Sequence, residues 1–264
     1  MIPRNRIWMI LGIIVAVLVL FGGYVVFTYC TSNPHNARTI GDLPLPMGYR
    51  RVPAEKGSVG EFMRSLPLRP RGTKVHLYKS RRLANYQWLS AGVVDLPLLS
   101  SDEQCADVCM RMRAEYLFST RQYGKISFTT LSGTKLTYSG GNNRKAFERF
   151  MRSVYGACNT TSLHRSLKTR DLSNMQIGDI FVFPHRKIAG KDRYGHAVIV
   201  ADMAVNRITG RKIFLLIEGN TPARDIHVLR NLHPLHNPWF YLNDDASAFW
   251  LNVFRFDSSD LKHF

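Results

Sequence analysis

The apolar positions of the chain form one long uninterrupted run, followed by shorter patterned segments. The run covers residues 7–29 (IWMILGIIVAVLVLFGGYVVFTY) and contains no charged side chain. A helix of roughly 20 apolar residues spans the ~30 Å hydrocarbon core of a bilayer, and lipid requires such a segment to be helical throughout. The pattern therefore predicts one transmembrane helix near the N-terminus.

The residues that flank this run predict its orientation. Arg4 and Arg6 precede it, and positive charge favours the cytoplasmic side, so residues 1–6 should be cytoplasmic and the C-terminal part extracytoplasmic (periplasmic). A cleaved signal peptide would have a shorter apolar region and a small-x-small cleavage site. A lipoprotein would have a small residue before its lipidated cysteine, whereas Tyr29 precedes Cys30. An uncleaved, single-pass signal anchor is favoured over both.

Periodicity after the anchor predicts a linker and one domain. Residues 30–46 are polar, contain Pro and Gly, and are typical of a linker. Residues 47–264 suffice for a single α+β domain. In chain order, the predicted elements are strands at 75–78 and 91–96, a helix at 101–118 capped by Ser101 or Asp102, a strand at 125–130, an amphipathic helix at 144–155, strands at 179–183, 196–201 and 212–218, and a closing strand at 250–256.

Two residues in these elements suit nucleophilic catalysis. Cys105 lies near the start of the predicted helix, where unpaired amides and the helix dipole favour a thiolate. Cys109 lies a full turn deeper and lacks that advantage. His196 follows Gly195 at the start of an apolar strand, from which its ring can project toward a helix packed on the sheet. A cysteine hydrolase needs such a thiolate, a histidine and a polar group that orients the histidine.

The orienting group is expected on the neighbouring strand. Residues 202–211 predict a hairpin connection, so the start of one strand lies beside the end of the other. Glu218 and Asn220 end the second strand, and either of them can bond to the His196 ring.

Four short motifs resemble those of CHAP domains, which are cysteine- and histidine-dependent amidohydrolases and peptidases of the papain-like superfamily that cut peptidoglycan peptides. The motifs are Gln-Cys-Ala-Asp at 104–107, Gly-Asp-Ile at 178–180, Gly-His-Ala-Val-Ile-Val at 195–200 and Glu-Gly-Asn at 218–220. The resemblance implies a papain-like fold with Cys105 as nucleophile, His196 as base, and Glu218 with Asn220 as orienting residues. Gln104 or the backbone amide of Cys105 would stabilise the oxyanion.

The chain departs from a compact CHAP core in two places. Cys105 and His196 are 91 positions apart (196 − 105), and the surplus includes the predicted helix at 144–155, which could reshape or cover the groove. The segment GYRRVPAEKGSVGEFMRSLP (48–67) has no counterpart there.

A broader resemblance covers nearly the whole exported part. Segments such as GYRRVPAEKGSVGEFMRSLPL, QCADVCMRMRAEYL, LSNMQIGDIFV, GHAVIVADMA and PARDIHVL resemble a family of bacterial envelope proteins known only as a domain of unknown function. This resemblance implies that the protein belongs to the cell envelope, and it does not imply any activity.

Three further residues are candidates for substrate binding. Asp107 follows the nucleophile on its helix, Tyr194 adjoins Gly195 and His196, and Trp239 occurs in the loop NPWFYL. Each also has an ordinary structural explanation: helix-dipole compensation for Asp107 and local packing for the aromatic residues. Cys105 and Cys109 have a spacing that a metal pair could use, but no accompanying CxxC or HExxH pattern supports it, so no cofactor or metal is expected. A single disulfide between Cys109 and Cys158 is possible in an oxidising compartment.

The net charge of +17 indicates which classes of binding partner are favoured. Its basic residues are scattered, and none of the nucleic-acid-binding signatures is present, so contact with peptidoglycan or another anionic envelope polymer is favoured over nucleic acid. The predicted function is a cysteine amidohydrolase or peptidase that acts on cell-wall peptides. The alternatives are a non-catalytic envelope protein that binds or scaffolds, and an acyltransferase or lipid-processing relative with the same Cys–His pair.

Overall fold

A computed structural model describes residues 4–80, 82–188, 191–233 and 236–264 of the chain. The helices in these ranges are α1 (Arg4–Cys30), α2 (Val59–Ser65), α3 (Cys105–Ser119), α4 (Arg144–Ala157) and α5 (Thr160–Ser166). The strands are β1 (Tyr49–Arg51), β2 (Ser90–Val93), β3 (Ser127–Thr129), β4 (Lys135–Thr137), β5 (Lys168–Thr169), β6 (Ile180–Phe183), β7 (Arg186–Ile188), β8 (Lys191–Arg193), β9 (His196–Asn206), β10 (Lys212–Glu218), β11 (His227–Leu229), β12 (Ala248–Leu251), β13 (Phe254–Asp257) and β14 (Leu261–His263).

One antiparallel sheet of eight strands organises the domain. Its order is β2-β11-β10-β9-β6-β14-β5, and β1 pairs with the C-terminal end of β9. Strands β3 and β4, β7 and β8, and β12 and β13 form three separate two-stranded hairpins. The prediction of an α+β domain with a helix that carries cysteine and an antiparallel sheet that carries histidine is confirmed at this level.

The core lies around the central strands of the sheet. β9 has nine consecutive buried residues, from His196 to Ala204, so both of its faces are covered. Helix α3 packs on β9 and β10. The β12–β13 hairpin adds Phe249 and Phe256, whose rings lie 5.4 and 5.7 Å from that of Phe181 on β6. This packing fixes the start of β9 against the start of α3.

Helix α1 is long and apolar enough to cross a membrane, as a single-pass anchor would, although a signal sequence has the same character. The buried guanidinium of Arg230 donates hydrogen bonds to the carbonyl oxygens of Thr28 and Thr31, at 3.1 and 3.0 Å. A cation at this position compensates the free carbonyls of a helix C-terminus. The end of α1 is therefore joined to the domain.

Parts of the predicted linker at residues 30–46 pack on the domain. Asn33 is fully buried, its backbone N–H donates to the Ala91 carbonyl, and its side chain bonds with Ala37. Ile40 and Leu43 are buried in the main core. Full burial of such a side chain contributes about 1.5–3 kcal/mol, which is enough to hold a short polar segment on the domain.

Three predicted elements differ in detail. The segment at 75–78 forms only isolated bridges, at His76 and Leu77. The closing strand at 250–256 is the β12–β13 hairpin, because Asn252 adopts a φ of 54° and turns the chain. Left-handed backbone is tolerated by Asn, and an apolar alternation does not reveal it. The long helix begins at Cys105 rather than after Ser101 or Asp102.

Candidate active site

A cavity of about 900 Å³ lies where the start of α3, the start of β9 and the end of β10 converge. The C-terminal end of α4 and the segment that joins it to α5 form another wall, which includes Tyr155, Cys158 and Asn159. The helix at 144–155 that was expected to reshape the groove thus contributes its C-terminal end to the cavity.

Cys105 is the first helical residue of α3 and lines this cavity. The first N–H groups of a helix have no intrahelical partner, so the sulfur lies at the positive end of the helix dipole. The later start of α3 places Cys105 closer to that end than the predicted boundary did. Cys109, one turn deeper, is fully buried, and burial raises the pKa of its thiol well above the ordinary value.

Two glycines permit this close packing. A Cβ on Gly219 would lie 2.6 Å from a methyl group of Val108 and 3.2 Å from the Gln104 carbonyl oxygen. A Cβ on Gly195 would lie 2.6 Å from the carbonyl oxygen of Phe183. Glycine at both positions therefore lets the start of α3 approach the end of β10, and lets the chain before β9 lie against β6.

His196 is held between the cysteine and a buried carboxylate. Its Nε2 lies 2.8 Å from Oε2 of Glu218, and Cys105 lines the same cavity and contributes to the raised pKa of the ring. Because Nε2 is bound to Glu218, Nδ1 is the nitrogen that can serve the thiol. Only about 3% of His196 is exposed.

A second histidine binds the other oxygen of the same carboxylate. Nε2 of His227 lies 3.2 Å from Oε1 of Glu218, and its Nδ1 donates to the Asp225 carbonyl oxygen at 3.1 Å. His227 and Glu218 are direct partners in the β10–β11 register. Glu218 is therefore fixed from both sides, with one oxygen facing His196.

The electrostatics follow from these contacts. Burial alone would lower the pKa of His196, but its hydrogen bonds with Cys105 and Glu218 outweigh burial and raise the pKa to about 9. Burial alone would raise the pKa of Glu218, but the hydrogen bonds from His196 and His227 outweigh it and lower the pKa to about 2. At neutral pH the pair is therefore an imidazolium beside a carboxylate.

The ring of Phe254 covers one face of His196. The two ring centroids are 3.7 Å apart, and the planes are inclined by only 13°. Phe254 begins β13 and also lines the cavity. This stacking restricts rotation of the imidazole and leaves its ring nitrogens to Cys105 and Glu218.

Gln104 and Asn220 line the cavity beside the cysteine. The Gln104 side-chain oxygen accepts a hydrogen bond from the Thr221 hydroxyl at 2.6 Å, so its amide nitrogen is free to point toward a substrate. The Asn220 side-chain oxygen accepts from the Thr221 backbone N–H at 2.8 Å. Of the two expected orienting residues, Glu218 is the one that contacts His196.

The three predicted substrate-binding residues have different surroundings. Asp107 and Tyr194 line the cavity, Asp107 buried and Tyr194 exposed. Trp239 is a correction: it is buried in the main core, and its indole N–H donates to the Pro44 carbonyl oxygen at 2.8 Å. An apolar ring with a satisfied polar atom packs inside the protein, and the motif NPWFYL does not distinguish that outcome from a surface loop.

The structure also places the other cysteines and histidines that could be considered as ligands. Within the ranges that the structure describes, no cluster of three or more His, Cys, Asp or Glu side chains is arranged to hold an ion. Cys109 and Cys158 are both free thiols. The ring centroids of His233 and His236, in the segment after β11, are 4.4 Å apart with the planes inclined by 46°, and neither residue lines the cavity.

Sequence reasoning missed His227 and Phe254. His227 belongs to the segment PARDIHVL, and its position opposite Glu218 depends on the β10–β11 register, which no local pattern states. Phe254 is one of many aromatic residues near the C-terminus. The sequence signal that could have identified His227 is a histidine within a short apolar segment, which predicts a buried polar residue.

The fold and the site define an α+β domain with a buried Cys–His–Glu cluster at the mouth of a cavity. A family model described as a domain of unknown function (4846) matches residues 41–144 and 139–263. Since these ranges cover most of the chain, the chain belongs to this family, and the predicted membership is confirmed. No curated protein and no solved structure matches the chain.

Proposed function

We propose that the domain is a papain-like cysteine amidohydrolase or peptidase, and that its substrates are peptide amides of the cell wall. One observation carries the proposal: Cys105, at the first position of a helix, lines one cavity together with His196, and Glu218 binds His196 at 2.8 Å. The proposed nucleophile and proton carrier therefore share the cavity, and the proposed orienting group bonds to the histidine.

Each group has a defined part in amide hydrolysis. The Cys105 thiolate attacks the amide carbonyl carbon, and the carbonyl electron pair moves to oxygen. The imidazolium of His196 gives its proton to the leaving nitrogen as the C–N bond breaks, which leaves a thioester. Neutral His196 then takes a proton from water, the resulting hydroxide adds to the thioester, and the acid departs as the thiolate is restored.

The oxyanion of both tetrahedral intermediates has two donors within reach of Cys105. The backbone N–H of Cys105 belongs to the unpaired amides of the helix start, and the Gln104 side-chain amide extends into the same cavity. Thr221 fixes the Gln104 side chain through its oxygen, which leaves the N–H₂ group for this task.

The substrate class rests on compartment and charge. As a membrane anchor, α1 would hold the domain at the outer side of the membrane, where peptidoglycan peptides occur. The net charge of +17 favours residence on anionic envelope polymers by long-range attraction. The reaction itself needs no cofactor.

The direct test uses the full chain in a non-ionic detergent with purified muropeptides. The proposal predicts new amines and shortened peptides by mass spectrometry, and no product with Cys105→Ala. Cys109→Ala removes the neighbouring thiol and should retain activity. Transfer of an acyl group to a lipid, or binding that releases no product and is unaffected by Cys105→Ala, would contradict the proposal and favour one of the alternatives.

A further inference from the structure

The cavity differs in charge from the rest of the protein. The chain carries a net charge of +17, yet the described residues that line the cavity include Asp102 and Asp107 and neither lysine nor arginine. The His196 imidazolium also lines the cavity, but the Glu218 carboxylate pairs with it at 2.8 Å. The local field around Asp107 therefore favours a cationic group, although the protein as a whole is strongly basic.

Asp107 supplies the buried part of this negative charge. Its Oδ2 accepts a hydrogen bond from the Gln104 backbone N–H at 3.0 Å, as a residue in the first turn of a helix commonly does. Its Oδ1 is buried and has no hydrogen-bond partner among the residues that the structure describes. Only 6% of Asp107 is exposed. A buried carboxylate oxygen without a partner is costly, so this atom is suited to a donor that arrives with a ligand.

Tyr155, near the end of α4, lines the same cavity and has a second unsatisfied atom. Its hydroxyl oxygen is buried and has no hydrogen-bond partner among the described residues. Burial raises the pKa of this phenol, so the hydroxyl stays neutral and its oxygen can accept a hydrogen bond. Two elements that are distant in sequence thus each bring one unpaired polar atom to the cavity.

We propose that Asp107 and Tyr155 form a subsite for a primary ammonium group of the substrate, beside the Cys105 nucleophile. This inference rests on the proposed function and narrows its substrates to amides that carry a free amine. An ammonium group has three N–H donors, which can serve Asp107 Oδ1, the Tyr155 oxygen and solvent. An acetylated amine loses its charge, and a carboxylate in the same place would be repelled.

Cys105 itself can report the charge preference of the cavity. We would treat the full chain in detergent at pH 8 with two methanethiosulfonates, one with an aminoethyl group and one with an uncharged methyl group. Burial raises the pKa of Asp107 to about 7, so its carboxyl group is ionised at this pH. The Cys105 thiolate attacks the reagent sulfur, a disulfide forms, and methanesulfinate leaves. Mass spectrometry gives the rate of modification of Cys105 by each reagent. The ratio of the cationic to the uncharged rate is then divided by the same ratio measured for a small free thiol.

The inference predicts that this normalised ratio favours the cationic reagent by about tenfold, since a partly desolvated ion pair is stronger than an exposed one. Asp107→Asn should bring the ratio close to one, and Tyr155→Phe should lower it in part. Asp102→Asn removes the same charge from the exposed rim of the cavity and should change the ratio by less than about twofold, because solvent screens it.

The outcomes separate the two proposals. A reactive Cys105 with a ratio near one, or with a ratio that Asp107→Asn leaves unchanged, overturns the ammonium subsite and leaves the hydrolase proposal standing. A Cys105 that reacts with neither reagent contradicts the hydrolase proposal, and the subsite that rests on it falls as well.

Discussion

Two buried acidic clusters lie on the same pair of strands and have different surroundings. In the middle of β9, Asp202 is fully buried and accepts from Nε of Arg51 at 2.7 Å and from Nε of Arg64 at 2.6 Å. At the end of β10, Glu218 is bound by His196 and His227. Both clusters satisfy a buried carboxylate within the protein.

The difference lies in what the partners can do next. Arginine stays protonated at any physiological pH, so the Asp202 cluster can only hold β9 to β1 and α2. Histidine can give up and regain a proton, and His196 also contacts a thiol in a cavity. A buried and paired carboxylate alone therefore does not indicate a functional site. A carboxylate whose partner can titrate and also lines a cavity does indicate one.

Asp107 is a third buried carboxyl group in this comparison. It is buried like Asp202, but it lacks a cationic partner among the described residues. Burial raises its pKa from 3.8 to about 7. Since one pKa unit corresponds to about 1.4 kcal/mol, the ionised form costs the fold about 4 kcal/mol. The protonated form stabilises the fold fully below pH 3.8, and this contribution is lost as the pH rises to about 7.

Asp107→Asn keeps an acceptor for the Gln104 N–H and removes the charge. We expect it to raise the free energy of unfolding by up to about 4 kcal/mol at pH 8, and by nothing at pH 3. Urea unfolding of the full chain in detergent at several pH values measures the difference. A gain of equal size at both pH values would show that the charge is not its cause.

Asp202→Asn removes the carboxylate of the other cluster, and it should lower the free energy of unfolding. Removal of the shared carboxylate leaves two partly buried guanidinium groups unpaired, and such a loss typically costs about 3 kcal/mol. The same unfolding experiment measures it at pH 7. Reaction of Cys105 with a neutral alkylating reagent, recorded on the folded protein, should stay at the wild-type rate.

Asp95→Asn is the matched control for that variant. Asp95 is an exposed partner of Arg69 at 3.2 Å, and exposed pairs contribute less than about 1 kcal/mol. Equal destabilisation by Asp202→Asn and Asp95→Asn would refute the structural importance assigned to the buried cluster.

His227 is expected to have a smaller effect, as a positioning residue. His227→Leu leaves Oε1 of Glu218 without a donor, and a hydrogen bond to a charged group contributes about 1.5 kcal/mol, so alkylation of Cys105 near pH 6.5 should slow by about tenfold. His227→Gln, which keeps a donor, should recover part of the rate. His76→Leu, on a half-buried histidine near Asp225, should not slow it.

The sequence predicted the parts of the site that local patterns encode. The apolar runs of β9 and β10 and the short connection between them placed His196 beside Glu218, and the helix that carries Cys105 was visible from its periodicity. The start of α3 was displaced because Glu103 folds back: its Oε2 accepts from the Leu99 N–H at 2.6 Å, and its carboxylate pairs with buried Arg111 at 2.8 Å.

The parts that were missed depend on long-range packing. Ile40 and Leu43 find partners only once the sheet has formed, so the segment around them looked like a linker. The role of Trp239 depends on Pro44, nearly two hundred residues earlier in the chain. His227 acquires its function from strand register, which one residue of slip would abolish.

The most direct test of the central claim is the pH dependence of alkylation at Cys105, followed by mass spectrometry on the full chain in detergent. Cys109 and Cys158 serve as internal references, because burial raises the pKa of both thiols, that of Cys158 to about 11. His196→Ala tests the partner, and His196→Gln replaces it if the alanine variant does not fold. We predict that Cys105 reacts near pH 6.5 at least about tenfold faster than a free cysteine and than the exposed Cys30 of the same chain, that buried Cys109 and Cys158 do not react, and that either His196 variant removes the advantage of Cys105. A Cys105 that is inert, or that reacts with the same pH dependence with and without His196, would contradict the account.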